Sequence, residues 1–279
     1  MPTTDIPYIV AVVREKEKAL LEDDEYIRVI NSATTADGGR EALADTAYGI
    51  HVASGMTSLQ ALDGRLAEEF AWLTDMLGVS DASLTFIAAR YDGLHAAAAL
   101  IDYKRGAKQA SMQVPVGRMK PELLTSVIWN DAGWDDVPGV WQGFLREQRA
   151  AINDASWSSE ATAMAASEAV IDVMTKTGRS ALMRAITALT AERLAHEKTM
   201  RPDALPSDIP AYEKQWDEKL LATLREHRLA PHTIDAVIAW WYALVIEVKT
   251  LRLLLTAAGG GVAKEKLSTL TRSRYLLWI

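Results

Sequence analysis

Apolar residues recur every three or four positions along almost the whole chain, and this period constrains the fold more than any other feature. Leu59, Leu62, Leu66, Phe70, Leu73 and Leu77 line one face of a helix, with Ser58 placed to cap it and Gly78 to end it. Leu84, Ile87, Tyr91, Leu94, Ala98 and Ile101 repeat the spacing behind a cap at Ser80 or Asp81. Ile6, Ile9, Val10, Val13, Leu20 and Leu21 do the same across 5–21. Pro121 suits the first turn of a helix over 122–129, where its missing N–H would go unpaired anyway. Longer helices are expected at 157–176, 179–200, 211–228 and 232–257, punctuated by Gly178, the Pro202–Pro210 segment and Pro231. Strict alternation of Val, Ile and Thr is scarce, so no strand is expected. The pattern predicts an all-α protein whose main non-helical connections are 131–139 and 201–210.

The totals narrow the function classes. A length of 279 residues allows one large domain or two ordinary ones, and 49% apolar with 24% charged residues is the balance of a folded chain. A formal charge of -7, with no run of four basic residues, gives no electrostatic reason to bind nucleic acid or a polybasic-seeking membrane. There is no cysteine, which removes disulfides, thiolate metal sites and cysteine nucleophiles and fits a reducing compartment. The opening MPTTDIPYIV lacks the basic and apolar regions of a secretory signal. The longest apolar run, AVIAWWYALVI at 236–246, is far below the ~20 residues that span a bilayer. Any membrane role is therefore expected to be peripheral.

Chemistry has few places to reside. Asp92 and His95 are three apart, so a helix puts both on one face, where a general-base pair or half a metal site would need them. The alternative is a buried polar contact beside a close helix crossing, which Ala96–Ala99 favour because small side chains let a neighbouring backbone approach. No third or fourth metal ligand is near, so the packing reading is preferred. The histidines His51, His95, His196, His227 and His232 form no H-x-x-x-H, H-E-x-x-H or Glu-x-x-His pattern. Glu192 and His196, four apart, come nearest, and a solvated face explains them. AAGGGVAKEK (257–266) lacks the G-x-x-x-x-G-K-[ST] spacing and reads as a helix end and turn. Trp240 and Trp241, with Trp141, Trp216 and Trp278, are expected in the core. No catalytic, cofactor-binding or metal-ligating residue is assigned, and an all-α metal-dependent oxygenase or hydrolase is disfavoured for want of ligands.

Three segments share a weak internal design: 90–106, 188–201 and 245–261 each carry a polar residue, then apolar positions, then a basic or glycine-ended tail.

Several motifs in order resemble the C-type stalk protein of the V/A-type rotary ATPases and ATP synthases, a family that includes the d component of eukaryotic V-ATPases. YIVAVVREKEKALLEDDEY is similar to that family's first helix, and Leu43, Asp45, Thr46, Tyr48 and Gly49 resemble its Leu-x-[Asp/Glu]-Thr-x-Tyr-Gly element. SLQALDGRLAEEFAWLTDML is like the long helix that follows. Asp92, Lys104 or Arg105, and Gly106 fall into register with its Asp-x-x-Asn-Leu helix, and Gly117 and Met119 match the next turn. Glu247, Leu251 and Arg252 resemble its closing helices. His95 stands where the family has Asn, with Arg193 and Thr250 at the corresponding repeat positions. The likeness covers most of the chain, while 130–185 matches only in being helical.

The resemblance implies a funnel-like protein of three related subdomains around a pseudo-threefold axis, approximately 1–110, 111–205 and 206–279. It implies a non-catalytic central-stalk component without cofactors. Its partners would be the D and F proteins of the central shaft and the membrane proteolipid ring, in a machine that moves protons or sodium ions. A helical scaffold for another assembly is the second reading.

Overall fold

The helix α12, Ile234–Gly259, organises the molecule because it is buried nearly all round. In the computed structural model, which describes residues 5–33, 38–107, 114, 116–154, 157–199, 209–228, 233–273 and 275, Trp240 and Trp241 on this helix are sealed from solvent. The run AVIAWWYALVI is thus the centre of the core.

Around it lie α1 (Ile6–Glu17), α2 (Asp23–Ser32), α5 (Ser58–Leu77), α6 (Ala82–Lys104), α10 (Ala181–Thr199), α11 (Ile209–Arg228) and α13 (Lys264–Leu270), all in contact with α12. Two short helices, α3 (Gly38–Ala44) and α4 (Gly49–Ala53), connect α2 to α5. A second group, α7 (Pro121–Asn130), α8 (Gly139–Ala151) and α9 (Ser159–Thr177), gathers on α6. One hydrophobic cluster runs from Ile9 to Tyr275, with a small satellite of Ile30, Ala33, Leu254, Ala258 and Leu267. The described residues form thirteen α-helices and one short 3-10 turn, and no strand, so the fold is all-α as the periodicity predicts. No helix among them is long and apolar enough to cross a membrane.

Local signals explain most boundaries. Asp81 caps α6 by accepting from the Ser83 N–H at 2.6 Å. The cap of α5 is Thr57 and not Ser58, which is the first helical residue. Thr57 and Gln60 form a reciprocal capping box, which satisfies two N–H groups where Ser58 would satisfy one. The first helix ends at Glu17, so Leu20 and Leu21 join the core from the turn that follows it. Pro210 sits in the first turn of α11. Trp141 and Trp216 are buried as expected, whereas Trp278, His232 and most of the 201–210 connection fall outside the described residues.

The most extensive helix–helix contact is α6 on α9, and it falls on the stretch rich in small residues. A Cβ on Gly93 would lie 2.4 Å from Val170 Cγ2 and 3.3 Å from Trp141 Cη2, so only glycine allows this approach.

Candidate functional site

Asp92 and His95 share a buried face of α6, yet their side chains do not pair with each other. Asp92 Oδ1 instead accepts from the backbone N–H groups of Arg118 at 2.6 Å and Met119 at 3.0 Å, while Oδ2 is buried without a partner. These two amides belong to the loop that leads into α7, so the carboxylate pins that helix's entry. Gly117 makes this possible. Its φ is +112°, and a Cβ there would come within 2.7 Å of Asp92 Oδ1.

Burial pushes the Asp92 carboxyl up to about 6, against the pull of the Met119 and Arg118 amides. Burial also lowers the basicity of His95, partly offset by the backbone of Val114 and Met119. His95 is buried, as the packing reading requires, and its Nδ1 has no hydrogen-bond partner. The arrangement holds a loop in place.

Glu247 on α12 repeats the device. Its Oε2 accepts from the Leu21 N–H at 2.6 Å, just before α2, and its Oε1 accepts from the Tyr48 hydroxyl at 2.7 Å. Burial raises the Glu247 carboxyl, and the nearby Arg65 guanidinium, which stacks over the Tyr48 ring, opposes that rise. The match extends along the chain. Asp92 precedes Gly106 and Glu247 precedes Gly261 by the same interval, and both glycines adopt positive φ, +72° and +79°, beyond the ends of their helices. Thr250, three residues after Glu247 as His95 is after Asp92, is fully buried and donates to the Ile246 carbonyl.

The third segment is built differently. Arg193 on α10 pairs with Glu197 at 2.8 Å and with Glu213 of α11. Glu213 also pairs with Lys249 of α12, which reaches Asp217 at 3.0 Å, and Asp217 in turn meets the buried Arg272 at 2.9 Å. This chain of alternating charges ties α10, α11, α12 and the C-terminal segment together. Spacing along the sequence exposes only the Arg193–Glu197 step, since the other partners come from different helices. The Arg252 singled out by resemblance pairs with Asp63 of α5.

The remaining polar candidates scatter. Glu192 pairs with Lys219 at 3.0 Å while His196 stacks against Tyr212, so these two do not converge. His51 Nε2 lies 3.2 Å from Glu68, and His227 Nδ1 lies 3.8 Å from Asp235. Among the described residues no three His, Asp or Glu side chains are grouped to hold a metal. Comparison with protein-family models, with curated proteins and with solved structures finds no match to the chain.

Proposed function

We propose that this chain is the central-stalk socket of a V/A-type rotary ATPase, joining the D and F shaft to the proteolipid ring on the cytoplasmic side. In this reading it has no active site and transmits torque for proton or sodium transport, through three related subdomains arranged as a funnel. The observation that carries the reading is the repeated carboxylate clamp. Asp92 and Glu247, which the resemblance puts at family positions, each pin a loop just ahead of another helix, at the same distance from a helix-ending glycine. The duplication supports related subdomains for two of the three segments, while the segment around Arg193 lacks the clamp.

The mechanics also suit a coupler. A torque-bearing part must deform little, and here the long helices surround one buried helix and are cross-linked by alternating ion pairs. Each such pair contributes modestly to stability, but together they fix the relative positions of three helices and the C-terminal segment. Titration calorimetry of the purified chain with the D–F shaft tests the proposal. Saturable binding that weakens as salt rises is expected, since polar docking surfaces are screened by ions. Absence of binding at low salt would leave the chain as a scaffold for another assembly.

A further inference from the structure

A half-open interhelical cavity of about 330 Å³ lies among α6, α9, α10, α11 and α12. Small side chains leave room on both walls, Ala97 on α6 and Ala163 and Ala166 on α9, while Gly93 marks the edge where α6 closes onto Val170. Its lining is otherwise mostly apolar, and it includes Leu94, which is 58% exposed and so presents a large aliphatic side chain to water.

Four charged residues reach the lining: Arg90, Arg193, Glu197 and Asp217. Three of them are neutralised by the protein itself. Arg193 is held by Glu197 and Glu213, and Asp217 by Lys249 and Arg272. Arg90 alone has no ion-pair partner among the described residues, and it is exposed. The cavity therefore has apolar walls and one uncompensated positive charge.

We propose that this cavity binds one single-chain amphipathic carboxylate, with the acyl chain among α6, α9 and α10 and the carboxylate on Arg90. The volume sets the size. It equals about eleven water-sized volumes of ~30 Å³, which a saturated chain of roughly eight to twelve carbons would fill. The planar guanidinium calls for an anionic head group, and a carboxylate meets it through two parallel hydrogen bonds. This inference is independent of the stalk assignment.

Trp216 lines the cavity, and subtracting the emission of a Trp216→Phe protein, which keeps the other eight tryptophans, makes it the reporter. Intrinsic fluorescence is followed while octanoate, decanoate or dodecanoate is added below its micelle concentration, with decanol as the neutral control. One saturable site is expected, tightening about fourfold per methylene until the chain no longer fits. Arg90→Gln should weaken decanoate at least tenfold and leave decanol unchanged. Ala163→Leu, at an exposed position on the lining, should weaken both ligands while the circular dichroism spectrum stays that of the parent. The proposal is overturned if no saturable change occurs, or if decanol binds as tightly as decanoate. It also fails if Arg90→Gln has no effect, or if only anionic phospholipid vesicles bind.

Discussion

Replacing Asp92 by asparagine isolates what the buried charge on α6 does to stability. The native carboxyl titrates at about 6, against an ordinary value of 3.8, because desolvation outweighs the two backbone N–H groups it accepts. A rise of about two units corresponds to about 3 kcal/mol, at about 1.4 kcal/mol per unit. The sign follows from proton uptake. Between about pH 4 and pH 6 the folded chain binds a proton at this site that the unfolded chain does not, so Asp92 lowers stability as pH rises through that window. Asparagine keeps an oxygen for the Arg118 and Met119 amides and does not titrate. Urea unfolding of both proteins at pH 4, 5, 6 and 7 should therefore show the variant gaining on the parent by about 2.5 kcal/mol across the series, the rest of the effect lying below pH 4. The gain should be complete just above pH 6. A difference that stays flat, or that shrinks with rising pH, would refute the reasoning, because it would mean that the carboxylate is better solvated by its amides than its burial implies.

Other substitutions probe the remaining contacts. Gly117→Ala forces a side chain into a positive-φ position and against Asp92, and should cost about 1–3 kcal/mol in urea unfolding. Tyr48→Phe removes the hydroxyl donor to Glu247 and should cost about 1.5–3 kcal/mol, read from the same unfolding curves at pH 7. Arg272→Met leaves Asp217 with only Lys249 and should cost about 3–5 kcal/mol, because both members of the lost pair are buried. Lys249→Met should cost less, since Asp217 keeps Arg272 and Glu213 keeps Arg193. Thermal melts of the two variants side by side give their order.

How much of the molecule is legible in its sequence depends on whether a signal is local. The period of Leu59 to Leu77 and of Leu84 to Ile101 predicts α5 and α6 because a helix brings residues three and four apart onto one face. Caps are local too, but Thr57 and Ser58 are both good caps, and only the reciprocal contact with Gln60 decides between them. The partners of Asp92, Glu247 and Arg193 are a different matter. Asp92 meets amides 26 and 27 residues away, and Glu247 meets groups 199 and 226 residues away. No period encodes such distances. The segments 90–106 and 245–261 share a design on the sequence, and geometry gives it content through two carboxylates that each hold a loop. For the segment around Arg193 the design does not extend to a clamp, because its long cation faces Glu213 across a helix pair instead of a loop amide.

The most direct test of the central claim is to tag this chain in its own cell and isolate it from gently solubilised membranes. The stalk reading predicts that the D and F shaft proteins and the proteolipid ring come with it in constant ratio, and that deleting it detaches the shaft from the ring. Recovery of the chain in quantity with neither shaft nor ring would contradict that reading.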